Sequence, residues 1–118
     1  MFEKLELIIK SNKQKRVDKD YLGILLNSEA VLEYLPALIQ YEVDKESEYR
    51  RFEANILELD DAELKGRKIT SSLAETLAKA TDSYKEFRKA QLFRELSYEV
   101  VQMGKKIAGS VNQEYNAH

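Results

Sequence analysis

The sequence contains no cysteine, one proline, four glycines and one histidine in 118 residues. Without cysteine there is no disulfide framework and no thiolate chemistry, which fits a cytosolic chain. The single histidine is the last residue, His118, and offers no general base for a packed site. Ser-His-Asp and Cys-His arrangements, the Glu-x-x-His pattern of di-iron bundles and histidine- or cysteine-based zinc sites are thereby excluded. Four scattered glycines cannot build a phosphate-cradling loop. No apolar run approaches the roughly 18 residues of a membrane span. The start, Met1-Phe2-Glu3-Lys4, has no signal-peptide profile. These absences predict a non-enzymatic, cofactor-free, cytoplasmic protein that is not membrane-bound.

What is present is charge and helical periodicity. Charged residues make up 34% of the chain and hydrophobic residues 43%, the mix of amphipathic helices. The net charge of −2 conceals an asymmetry. Residues 1–20 carry six basic and four acidic side chains, residues 21–64 three and eleven, and residues 65–118 ten and six. The acidic middle and basic end either complement one another as neighbouring helices, or leave basic surface free to meet a polyanion.

The spacing predicts an all-α fold in one domain: short helices over 1–35, then a long antiparallel hairpin of helices over 36–65 and 71–108. The first helix covers Phe2 to about Lys10, because Phe2, Leu5 and Ile8 or Ile9 share a face. Ser11 to Val17 is polar and reads as a loop. Asp18 is the expected N-cap of a helix through Leu26, with Asn27-Ser28 as an interruption. Pro36 either starts the next helix or bends a continuous one. Tyr49, Phe52, Ile56 and Leu59 form an apolar seam, while the polar stretch 42–48 is expected to face solvent or a polar partner. Gly66 closes the helix, Arg67 to Thr70 is the turn, and Ser72-Leu73-Ala74-Glu75 is a capping box. In the last helix Leu73, Leu77, Ala80, Tyr84 and Phe87 make one seam, and Leu96, Val100, Met103 and Ile107 another. Residues beyond about Ser110 are expected to fray. Two long rods expose much surface, so an oligomer is expected.

Asp60-Asp61 with Glu58 and Glu63 reads as a solvated acidic face, lacking the glycine and loop of a calcium site. Glu95 and Glu99 could do acid–base work only in a dry, shaped pocket, which nothing in the sequence implies. Surfaces remain. Lys13, Lys15 and Arg16 form a basic segment. Lys65, Arg67 and Lys68 lie at the turn. Lys85, Arg88, Lys89, Arg94, Lys105 and Lys106 run along the last helix, with Tyr84, Phe87 and Phe93 among them. Cations neutralise phosphates and aromatic faces stack bases, a pairing suited to single-stranded nucleic acid. Tyr84 and Phe87 also fit the core seam. With no sequence-reading motif, binding would be backbone-directed and salt-sensitive.

The stretch from Tyr21 to Ile107 resembles the small helical recombination-mediator proteins of bacteriophages, the UvsY type. The features that carry the likeness are Glu48-Tyr49-Arg50-Arg51-Phe52-Glu53-Ala54, the turn with Gly66 and Lys68-Ile69-Thr70, and a last helix with Ala74, Ala78, Tyr84 and Gly104-Lys105-Lys106-Ile107-Ala108. The resemblance implies ring-forming proteins that bind single-stranded DNA and help load a recombinase onto strands covered by single-strand-binding protein. It places the DNA contacts at the turn and along the last helix. The acidic net charge and the polar stretch 42–48 depart from that pattern. A helical protein-interaction module, such as an adaptor or a phage-encoded inhibitor of a host complex, is the alternative.

Overall fold

A computed structural model describes the backbone of residues 1–58 and 70–117, and side chains as far as Ser110. The described residues form four helices: α1 (Phe2–Asp18), α2 (Tyr21–Leu57), α3 (Ser71–Lys79) and α4 (Asp82–Ala117). The all-helical, hairpin-like pairing of the long helices α2 and α4 agrees with the periodicity. The expected turn at Gly66, together with Leu59 and Asp60 to Lys65, lies outside the described residues.

Several helix boundaries differ from expectation, each for a local reason. Ser11 to Val17 is helix, because Lys, Gln and Arg are good helix formers and polarity alone does not make a loop. Glu6–Lys10 and Gln14–Asp18 bridge successive turns of α1, and Lys15 and Arg16 sit favourably in its last turn. The helix ends at Lys19, which adopts a left-handed conformation (φ 54°, ψ 35°). There Lys19 N–H donates to Arg16 C=O and Asp20 N–H to Lys15 C=O, the paired bonds of a Schellman motif. Asp20, not Asp18, caps α2, its Oδ1 accepting from Gly23 N–H at 3.0 Å.

α2 then continues through Asn27, Ser28 and Pro36. Pro36 therefore does not start a helix. It lies inside one, exposed, where its missing N–H costs one intrahelical bond. Asn27 and Ser28 do not break α2 because both are used in packing. Asn27 Nδ2 donates to Asn12 Oδ1 at 3.4 Å, and Ser28 is buried against Gly104. By length and composition alone α2 satisfies the requirement for a membrane span, with a mean hydropathy of 1.4 over its most apolar 18 residues. Core helices of soluble proteins pass the same test, and Glu29 and Glu33 stand on its exposed side.

The expected single helix over 71–108 is two. α3 begins with Thr70 as N-cap, its Oγ1 accepting from Leu73 N–H at 3.1 Å, so the Ser72–Glu75 capping box does not form. Glu75 instead pairs with Lys79 at 2.8 Å. α3 stops at Ala80, and Thr81 caps α4. The Thr81 hydroxyl accepts from Tyr84 N–H at 3.2 Å and donates to Ala78 C=O at 2.7 Å. α4 then runs to Ala117, past the expected end near Ala108.

The chain divides into two compact units. Unit 1 comprises residues 1–39 and 92–118, and unit 2 residues 40–91. The core of unit 1 takes Leu5 and Ile9 from α1, Ile24, Val31, Leu35 and Leu38 from α2, and Val100 and Val101 from α4. Phe2 meets Phe93 edge-on at 5.1 Å. α2 and α4 approach closely where Gly104 faces Ser28, whose Cβ lies 2.5 Å from where a Cβ on Gly104 would stand. Ser97 is fully buried and its hydroxyl has no partner among the described residues.

The core of unit 2 is Tyr49, Ile56, Ala74, Ala78 and Ala90. The Tyr49 ring packs edge-on to Tyr84 at 5.1 Å and tilted against Phe87 at 5.4 Å. Of the expected seams, Phe52, Leu73 and Leu77 are more than 40% exposed, while Ala74 and Ala78 are buried. Alanines let the α3 backbone approach closely, which turns its leucines outward.

Two glycines of α4 should respond oppositely to the same change. Gly104→Ala should lower the unfolding midpoint, since overpacking of about 1–3 kcal/mol outweighs a helix-propensity gain of about 1 kcal/mol. Gly109→Ala, which meets nothing within 4 Å, should raise it. Thermal denaturation followed by circular dichroism measures both.

Candidate functional site

The basic residues singled out from the sequence fall into separate places. Lys13, Lys15 and Arg16 on α1 and Arg94, Lys105 and Lys106 on α4 belong to unit 1, whereas Lys85, Arg88 and Lys89 belong to unit 2. Lys65, Arg67 and Lys68 lie outside the described residues, as do Asp61, Glu63 and His118. The expected basic loop at 13–16 is a helical strip, with Lys13 and Arg16 exposed.

Within unit 1, Lys13, Arg16 and Lys106 converge. They rim a groove of about 350 Å³ between α1 and α4 that also touches Ile9, Leu96, Val100 and Met103. Glu95 and Glu99 stand on its α4 side. Helical spacing explains the assembly: residues 9, 12, 13 and 16 follow one strip of α1, and 95, 99, 102 and 106 one strip of α4. Lys13, Arg16 and Lys106 form no ion pair among the described residues.

The remaining candidates are placed differently. Lys15 is structural, its Nζ lying 3.3 Å from Asp20 Oδ2 at the α1–α2 corner. The Gly23 N–H, and secondarily Lys15, hold the Asp20 carboxyl below its ordinary range. Arg94 lies over the Tyr98 ring at 5.6 Å. Lys105 is exposed but does not line the groove.

In unit 2, Lys85, Arg88 and Lys89 are exposed at i, i+3 and i+4 on α4. They occupy one side of the helix, and Arg88 also donates to Gln91 Oε1. Tyr84 and Phe87, the aromatic groups among them, are packed on Tyr49, and Phe93 is packed on Phe2. None of the three aromatic rings is an open stacking platform.

Within the polar stretch 42–48, Glu48 finds a partner on α4. Just before it, the Tyr41 hydroxyl donates to Glu86 Oε2 at 2.7 Å, and Ser83 Oγ donates to Glu48 Oε2 at 2.8 Å. The hydrogen bond to Glu86, with partial burial, pushes the Tyr41 phenol up to about 12. Glu48 is held below the ordinary carboxylate range by Ser83 first and Lys45 second. Sequence periodicity does not reveal these bonds, because a hydroxyl and a carboxylate on separate helices share no spacing rule. The break in the apolar seam is the one trace of them.

Among the described residues no group of three or more histidine, cysteine, aspartate or glutamate side chains is arranged to hold a metal ion. No protein-family model matches the chain, and no curated protein or solved structure matches it either.

The Tyr41–Glu86 bond carries a pH signature. A phenol raised from 10 to about 12 contributes stability that is complete below pH 10 and lost as pH rises toward 12. Tyr41→Phe should destabilise by about 1–2 kcal/mol at neutral pH, the range for a partly exposed bond to a charged acceptor. The difference from wild type should shrink between pH 10 and 12. Urea denaturation of both proteins across that interval is the measurement.

Proposed function

We propose that this protein is a non-enzymatic helical accessory protein that works as an assembly and binds single-stranded DNA through its phosphate backbone. In the role implied by the resemblance to phage recombination mediators, it would help a recombinase onto strands held by single-strand-binding protein. The observation that carries the DNA reading is the exposed triad Lys85, Arg88 and Lys89 on one side of α4. Its charges can follow a flexible strand, and its neighbouring rings are engaged in the core, so contact is electrostatic rather than stacked. The groove rimmed by Lys13, Arg16 and Lys106 suits a strand less well. Its base is apolar, which phosphates cannot cover, and Glu95 and Glu99 repel them.

A second reading, a helical protein-interaction module without nucleic-acid binding, is favoured by one feature. Leu22, Leu26 and Leu32 of α2 are each at least half exposed, more apolar surface than a strand-binding role requires.

A salt titration with labelled single-stranded DNA separates the two. Binding through three cations should weaken with a log–log slope of roughly −2, from about −0.7 per phosphate. Lys85→Glu combined with Lys89→Glu should reduce affinity at low salt at least tenfold with helicity unchanged. Unaltered affinity removes this strip from the interface, and no binding by the wild type even at low salt leaves the interaction module.

A further inference from the structure

Among the described residues of unit 1, two exposed surfaces complement one another. One is the outer side of α2. Ile24, Val31, Leu35 and Leu38 face the core. At 3.6 residues per turn, Leu22, Leu26, Glu29 and Glu33 lie roughly half a turn away from them. Leu22 is 68% and Leu26 57% exposed, and both carboxylates are exposed. The other surface is the α1/α4 groove, with an apolar base and the cationic rim of Lys13, Arg16 and Lys106.

The geometry points to a second copy of this chain as the occupant. The outer side of α2 of one copy docks in the α1/α4 groove of the next. Leucines cover the apolar base, and Glu29 and Glu33 meet the cations of the rim. The two surfaces match in both respects: exposed leucines answer an apolar floor, and unpaired carboxylates answer unpaired cations. Glu95 and Glu99 on the α4 side fix the register, because they hold the incoming carboxylates toward α1 and Lys106. Such charges choose the partner and orient it, while apolar contact supplies most of the affinity.

The two surfaces lie on different sides of one unit, so the contact is head-to-tail. A pair as a whole keeps one open groove and one open α2 side, and addition continues until a ring closes. This rests on the assembly reading above and is independent of the DNA strip.

Charge reversal tests it with the full chain. By light scattering, the wild type should exceed its monomer mass of 13.7 kDa as concentration rises. Glu29→Lys with Glu33→Lys should stay monomeric, as should Lys13→Glu with Arg16→Glu. All four side chains are exposed, so circular dichroism should show unchanged helix. Mixed one to one, the two variants should associate again, because each keeps the surface the other has lost. A two-fold contact of α2 with α2 would give no such rescue. A wild type fixed at 13.7 kDa overturns both the assembly reading and this interface. An assembling wild type whose variants also assemble, or whose mixed variants stay monomeric, overturns the interface alone. Strand affinity is read separately through the Lys85 and Lys89 variant.

Discussion

The approach of α2 to α4 at Ser28 and Gly104 is the constraint on which unit 1 is built. Neither position can hold more than a small residue without pushing the helices apart. At this separation Val31 and Leu35 of α2 and Val100 and Val101 of α4 are all buried in the core of the unit. α1 then closes the remaining side with Leu5 and Ile9. The groove follows from the same arrangement, since a third helix laid beside a close pair leaves a furrow along one flank. Interior packing is intolerant of added volume, so the furrow's shape is set several residues away from the groove itself.

Unit 2 is held by different means. Its aromatic cluster of Tyr49, Tyr84 and Phe87 occupies the place that aliphatic residues fill in unit 1. Polar bonds flank it, from Tyr41 to Glu86 and from Ser83 to Glu48. Glu48 of the acidic block thus finds a hydroxyl partner in Ser83 of the basic third, and Glu86 of that third finds one in Tyr41 of the block, where charge counting alone suggests cations. Its ion pairs at Lys45–Glu48, Arg50–Glu53 and Glu75–Lys79 connect neighbours three or four residues apart in one helix. Exposed pairs of this kind contribute little to stability. Hydrogen bonds between elements are therefore the more informative feature of this unit.

Fold class and the long helical pairing were legible because they depend on periodicity, which is written along the chain. Boundaries were less legible. Ser28 and Asn27 look like helix breakers, but their role depends on Gly104 and Asn12, which are remote in sequence. Lys19 holds a left-handed conformation usually reserved for glycine or asparagine, and nothing in its identity announces that. Ala74 and Ala78 displaced the expected leucine seam because close backbone approach favoured the smaller side chains. Of the candidate contact residues, convergence of Lys13 and Arg16 with Lys106 needed three dimensions. The exposure of Lys85, Arg88 and Lys89 could be read from their spacing alone.

The step between α3 and α4 turns on a single oxygen. The Thr81 hydroxyl satisfies the last turn of one helix and the first turn of the next at the same time. Ala78, Lys79 and Ala80 are themselves comfortable in a helix. Losing that one hydroxyl would therefore uncap two helix ends at once, at a cost on the order of 1 kcal/mol for each cap, while the burial of Ala74 and Ala78 would still hold α3 against the core of its unit.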